Sequence, residues 1–144
     1  MMSEDAAVLE RSDSALQAYL LGATEFDDVL RLQRRLVYDI AGDRSAAALV
    51  VCEHPPIITV GRDGSREHIR FERADLAARG WPTRWVNRGG GCLLHAPGQI
   101  AVYPILALDR NSMDLDKYLE HLHNVVLDVL SFFDVIGETR SGRA

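Results

Sequence analysis

The stretch Arg88-Gly89-Gly90-Gly91-Cys92-Leu93-Leu94-His95-Ala96-Pro97-Gly98-Gln99 packs four glycines, an Arg, a His and a Gln into twelve residues between two apolar, strand-like segments. Ordinary turns need one or two glycines. Three in a row predict backbone that comes close to another group, or that takes φ values a side chain would forbid. Where such a loop joins two buried strands, a ligand is the usual reason. Residues 83–86 read as the strand leading in and residues 100–106 as the strand leading out, with Pro104 pointing to an edge or a bulge there. The segment around the run therefore reads as antiparallel strands.

Working outward, residues 16–21 read as a first strand, followed by Thr24 as a helix N-cap. Val29, Leu30, Leu36, Val37 and Ile40 then recur at helical spacing until Gly42. Residues 46–52 form a short apolar run with paired valines, read as a buried strand. Glu53-His54-Pro55-Pro56 breaks it, because two prolines cannot both donate to a ladder. Residues 57–60 are a further strand, 63–67 a loop, and 74–79 a short helix closed by Gly80. Leu115, Tyr118, Leu119, Leu122, Val125, Val126, Val129, Leu130 and Phe133 keep a strong i, i+3, i+4 rhythm, which predicts a long core-facing helix over 114–133. A polar tail follows over 137–144. Interleaved helices and strands with an antiparallel centre predict an α+β fold, a mixed sheet with packed helices. The expected organisation is a loose leader over 1–13 and one domain over 14–144.

The 144 residues suffice for one modest core. Hydrophobic residues make up 47% and charged residues 26%, a balance that places the chain among globular domains. No apolar run approaches the ~18 residues of a membrane span, and the leader lacks the apolar stretch of a signal peptide. Cys52 and Cys92 form no metal or disulfide spacing, so a reduced, cytoplasmic setting is expected. A net charge of −5 argues against non-specific nucleic-acid binding. The only lysine, Lys117, stands among Asp114, Asp116 and Glu120 on the predicted long helix and reads as a solvated residue.

Several residues carry candidate chemistry. His95 has three open roles: ligand hydrogen bond, loop anchor or general base. Arg88 can fork onto a carboxylate or phosphate, or tie the loop to carbonyls. Gln99 reads as a loop brace before a ligand contact, and Glu53 with His54 as a turn-fixing pair. Cys92 is the thiol nearest the glycines, but on an extended strand it points away from His95, so it reads as a small buried hydrophobe. His121 and His123, two apart on a helix, do not face each other, and no zinc spacing occurs. No Gly-Lys-Ser/Thr follows the glycines, so the run is not a phosphate-binding Walker loop. Arg62, Arg66, Arg70 and Arg73, interleaved with acids, read as solvated surface first and an acidic docking patch second.

These residues resemble a known family. Glu53-His54-Pro55-Pro56 followed by Thr59, Gly61 and Arg62 is similar to one signature of the lipoyl(octanoyl) transferases, the lipoate-protein ligase B family within the biotin and lipoate ligase superfamily. Arg88-Gly89-Gly90 with His95, Pro97, Gly98 and Gln99 is similar to a second, which Tyr103-Pro104 and Leu108-Asp109 continue. The resemblance runs from about Leu21 to the end of the long helix.

The resemblance implies a biotin/lipoate ligase-like catalytic domain. It also implies transfer of an octanoyl group from octanoyl-acyl carrier protein to a lysine on lipoyl domains of 2-oxoacid dehydrogenase and glycine cleavage proteins, without a cofactor and without metal, nucleic acid or membrane. Arg88, Gly89, Gly90, Gly91, Cys92, Leu93, Leu94, His95, Gly98 and Gln99 then correspond to the substrate-binding segment. The family works through a thioester on a cysteine helped by a lysine. Both lie downstream of the long helix, and neither Cys52, Cys92 nor Lys117 matches them, so the expectation is a C-terminally truncated enzyme or a pseudo-enzyme fragment with an open apolar edge. Leu93-Leu94 stand where the family usually has Thr-Tyr, and Ala96 where it has Gly, which predicts a drier acyl pocket or a different substrate. Two other readings stay open: an ATP-dependent lipoate or biotin ligase, for which a catalytic lysine is missing, and a non-catalytic acyl- or lipoyl-domain-binding protein.

Overall fold

A computed structural model describes residues 16–109 and 112–140. Two three-stranded sheets organise it. The first contains β1 (Leu16–Ala23), β2 (Ala47–Glu53) and β6 (Ile100–Ile105), in the order β1-β2-β6. The second contains β3 (Ile57–Val60), β4 (Thr83–Trp85) and β5 (Cys92–His95), in the order β4-β3-β5. Helices α1 (Phe26–Gly42), α2 (Arg73–Arg79) and α3 (Leu115–Phe132) complete the described elements, with a 3-10 turn at Arg66–His68 overlapping the end of the expected 63–67 loop. Mixed sheets with helices give the expected α+β class. Each sheet holds one parallel pair, β1 with β2 and β3 with β4, and one antiparallel pair, β2 with β6 and β3 with β5.

The first core forms because β2 alternates strictly: Ala48, Val50 and Cys52 are buried. They face α1, whose stripe Val29, Leu32, Leu36 and Ile40 closes the layer, with Tyr103 and Ile105 of β6 at its margin. Period 2 on the strand thus meets period 3.6 on the helix. Asp27 and Asp28 in the first turn of α1 suit the positive end of its dipole. The second core gathers Ile58, Val60, Ile69 and Leu76 beneath Trp81 and Cys92. Gly80 ends α2 in the left-handed region, at φ 64°, where glycine costs least.

Four expectations change. The strands flanking the glycine run do not form one hairpin, since β4 lies parallel to β3 in the second sheet while β6 joins the first. Residues 92–95, expected as loop, form β5, because their alternation matches β3 in antiparallel register. Thr24 does not cap α1: its hydroxyl donates to the Leu21 carbonyl, and Glu25 stands at the cap position.

The largest change concerns α3. It lies where the rhythm places it, with Asp114 accepting from the Lys117 N–H at 2.8 Å, yet none of its residues is buried. Val125, Val126, Val129 and Phe132 are exposed. Periodicity fixes a stripe, but burial needs a facing surface, and no described residue covers α3 enough to bury it. The sheet face opposite α1 is likewise open, with Leu20 and Val102 solvent-exposed on either side of Val51. Pro104 sits on β6, an edge among the described strands, where its missing N–H costs no ladder bond.

Candidate functional site

The chain passes between the two sheets twice, at residues 54–56 and at residues 96–99. Both crossings lie together because Glu53 at the end of β2 pairs with Ile100 at the start of β6, while Ile57 pairs with His95. A carboxylate latches them: the Gly98 N–H donates to Glu53 Oε2 at 2.7 Å. Gly98 has φ +87°, a turn geometry suited to glycine. Beside it, the Gln99 N–H closes the turn on the Ala96 carbonyl.

The two crossings bring His54 and His95 edge to face, with ring centroids 5.3 Å apart and Phe26 against both. His54 is fully buried. Its Nδ1 donates to the Thr24 carbonyl at 2.8 Å, which leaves Nε2 as the acceptor for the Tyr103 hydroxyl at 2.9 Å. Cys52 Sγ lies 3.6 Å from the same nitrogen. The Tyr103 phenol is pushed up to about 12, first by burial and then by the neighbouring Cys52. Burial also pushes the Cys52 thiol up, away from the thiolate a nucleophile requires. The expected turn-fixing pair of Glu53 and His54 is thus two separate devices, a latch and a buried aromatic anchor.

The glycine run is held from the other side. Loop 61–64 is stitched to loop 88–91 by three backbone bonds: Gly61 N to Gly91 O, Arg62 N to Arg88 O and Asp63 N to Gly90 O, at 2.9–3.2 Å. Asp63 Oδ2 also accepts from the Gly90 N–H at 3.0 Å. The tight position is Gly61. A Cβ there would lie 2.4 Å from the Gly90 carbonyl oxygen and 2.9 Å from that of Gly89. Of Gly89, Gly90 and Gly91 only Gly90 has a positive φ, +75°, and a Cβ at Gly91 would meet nothing within 4 Å. Close approach to the expected run is therefore enforced from the facing loop, most tightly at Gly61 and also at Gly64, whose Cβ would lie 3.2 Å from the Gly91 carbonyl carbon.

Arg88 reaches across this seam. Its Nη2 donates to both the carbonyl and the hydroxyl oxygen of Thr59, at 3.0 and 2.8 Å, and Nη1 donates to the Gly89 carbonyl at 2.9 Å. Its Nε is the buried side-chain nitrogen left without a partner among the described residues. Thr59, wholly buried, lies 3.2 Å from His95 Nε2 through its hydroxyl. Burial first, then His54 and the Arg88 guanidinium, hold His95 below the ordinary imidazole range, so the ring is neutral near pH 7. Thr59 was legible in the sequence only as part of a signature. Its polarity within an otherwise apolar strand was the available signal.

The pairing register sorts the rest of the run. Leu93 stands opposite Thr59, on the same face of the second sheet as His95, whereas Cys92 and Leu94 stand opposite Val60 and Ile58 on the other face. Cys92 packs against the second core and its thiol donates to the Ser65 carbonyl at 3.5 Å. The ten expected site residues therefore divide. Arg88, Leu93 and His95 converge with Thr59; Gly89, Gly90 and Gly91 form the seam; Gly98 and Gln99 make the crossing turn; Cys92 and Leu94 face away from His95. Of the basic cluster, Arg66 is spent on the Ile69 and Phe71 carbonyls and Arg62 on Asn87, while Arg70 and Arg73 are exposed. Lys117 is exposed on α3 beside Asp114. Among the described residues no group of three His, Cys, Asp or Glu side chains gathers as a metal ion would require, and no helix is long and apolar enough to cross a membrane.

Comparison with known proteins gives one consistent result. The family model of the lipoyl protein ligase A/B catalytic domain matches residues 26–144. Among curated proteins, the chain is 36% identical over 127 residues to an octanoyltransferase of Chloroflexus aggregans, covering 88% of this chain and 58% of the relative. It is 35% identical over 123 residues to one of Geobacter metallireducens, covering 85% and 54%. It is 32% identical over 126 residues to one of Porphyromonas gingivalis, covering 84% and 26%. The chain thus spans about half the length of most curated relatives it matches, and less of some.

Proposed function

The chain belongs to the lipoyl protein ligase A/B catalytic-domain family, and on that premise we propose that it serves octanoyl transfer in lipoate biosynthesis. In this reading octanoyl-acyl carrier protein is the donor, lipoyl domains of 2-oxoacid dehydrogenase and glycine cleavage proteins are the acceptors, and residues 14–144 act as one domain in the cytoplasm. The observation that carries it is the juxtaposition of Arg88, Thr59 and His95 with Leu93 on one sheet face. The hydrogen-bonding groups there, one guanidinium and the uncharged hydroxyl and imidazole, suit a thioester carbonyl, and an adjacent apolar surface suits a medium acyl chain. The lining we assign to that site is Arg88, Gly89, Gly90, Leu93 and His95, with Gly98 and Gln99 shaping its rim.

The thiols argue for a division of labour. Cys52 is buried with its pKa raised, and Cys92 faces the second core. Neither suits the nucleophile of a thioester step, so the described residues supply acyl recognition rather than the attacking sulfur. The same fact favours a second reading, a non-catalytic acyl-binding protein. Intact-mass spectrometry with octanoyl-acyl carrier protein, followed by a lipoyl domain, tests both. A hydroxylamine-sensitive octanoyl adduct that moves to the lipoyl domain establishes transfer. Binding of the octanoylated carrier in preference to the bare carrier, without an adduct, establishes acyl recognition alone. Equal or absent binding of the two carriers refutes the octanoyl reading.

A further inference from the structure

Thr59 has one hydroxyl proton and sits where no water reaches it. Arg88 Nη2 donates to its oxygen at 2.8 Å, and Arg is only ever a donor. The remaining neighbour of that oxygen is His95 Nε2 at 3.2 Å. A buried hydroxyl that donated to nothing would carry an uncompensated desolvation cost. The proton therefore points at His95, and Nε2 must accept it. A neutral imidazole that accepts at Nε2 carries its own proton on Nδ1. Nδ1 has no hydrogen-bond partner among the described residues, and it is not sealed from solvent, since Arg88 Nε is the one buried nitrogen there without a partner.

We propose that Arg88 and Thr59 are positioning residues that act as a one-way hydrogen-bond relay, fixing His95 as the Nδ1–H tautomer so that it offers a neutral N–H donor to the acyl carbonyl oxygen. The carbonyl part rests on the octanoyl reading; the relay does not. A neutral donor has a specific advantage beside Arg88. It polarises a carbonyl without adding a second positive charge to a site that already holds a guanidinium, and it transfers no proton. The neighbouring ring shows the same logic, as the Thr24 carbonyl fixes His54 as Nδ1–H. The two rings pack edge to face at 5.3 Å, where a second positive charge would be repelled.

The relay is read directly by long-range proton–nitrogen correlation spectra of the 15N-histidine-labelled chain. His95 is expected to show a protonated Nδ1 and a bare Nε2. In Thr59→Val the pattern should collapse to a mixture of tautomers, and Thr59→Ser, which keeps the hydroxyl, should restore it. A protonated Nε2 in the wild type overturns the relay even if Thr59→Val fails to fold, and so does an unchanged tautomer in a folded Thr59→Val. The carbonyl role is tested by adding S-octanoyl-N-acetylcysteamine. The His95 Nδ1–H resonance should move with the Leu93 methyls, and Thr59→Val should weaken binding about fivefold, the size of one neutral hydrogen bond. Movement at Leu93 with a still His95 overturns the carbonyl role. No binding at all sinks the octanoyl reading and the carbonyl role with it, while the tautomer spectra still decide the relay.

Discussion

Gly61→Ala is expected to be the most damaging single-methyl change in the chain, although it lies outside the glycine run. The new Cβ would stand 2.4 Å from the Gly90 oxygen, and 3.4 Å is where ordinary contact begins, so the loops must part by about 1 Å. Both nearest oxygens belong to backbone and cannot swing aside. Parting the loops stretches three backbone bonds, the Asp63–Gly90 bond and the grip of Arg88 on Thr59. Losing two or three of these at about 1 kcal/mol each gives a loss of about 3 kcal/mol, at the upper end of ordinary overpacking. With a urea slope near 2 kcal/mol per molar, the midpoint should fall by about 1.5 M at unchanged slope. Gly91→Ala is the matched control. Its Cβ has open space and its φ is not positive, so the change should stay within about 0.5 kcal/mol of wild type. Equal midpoints for Gly61→Ala and wild type, or an equally large loss at Gly91, would refute the seam as described.

Three further outcomes follow from the buried network. Tyr103→Phe removes the donor to His54 Nε2 and should cost about 1–3 kcal/mol in urea unfolding; in the wild type the Tyr103 phenol should resist ionisation until about pH 12 by ultraviolet titration. His95 has a folded pKa below its unfolded value of about 6.5. The unfolded state thus binds more protons in that window, the stabilisation is complete above about pH 6.5 and is lost as pH falls through the folded value, and His95→Gln should flatten that part of the urea-midpoint profile between pH 7.5 and 5. Ellman's reagent should reach half-buried Cys92 in the native protein and Cys52 only on unfolding, so equal rates would contradict the packing.

The elements were legible wherever a local pattern decides them. The Val29–Ile40 stripe, the apolar run of β2 and the stop at Gly80 all depend on residues a few positions apart, and all appear where the pattern places them. What was not legible depends on partners far away in the chain. Gly61 looks like an ordinary strand stop until the carbonyls of 89 and 90 stand over it. The exposure of α3 among the described residues depends on what faces it, which no helical period can report. The division of Leu93 from Leu94 needed the register between β3 and β5, and a one-residue slip would have exchanged their faces. Within the site, Arg88 and His95 stood out as candidates, but the threonine that joins them lies 29 positions from one and 36 from the other.

The route of the chain carries a consequence for how the molecule is put together. The whole second sheet is spliced between two neighbouring strands of the first, leaving from Glu53 and returning at Ile100, which pair with each other. Its own ends, Ile57 and His95, are also paired. The splice is therefore a pocket-sized loop tied off at its neck, and β2 and β6 would be a plain hairpin without it. Closing a free chain of that length costs entropy that grows with the logarithm of its span; an insert that folds first brings the neck together in advance and removes much of that cost. The neck is where His54, His95, Glu53 and Gly98 sit, so the proposed acyl site is complete only after both sheets exist. A molecule with only one of the two layers in place would lack the place where they are joined.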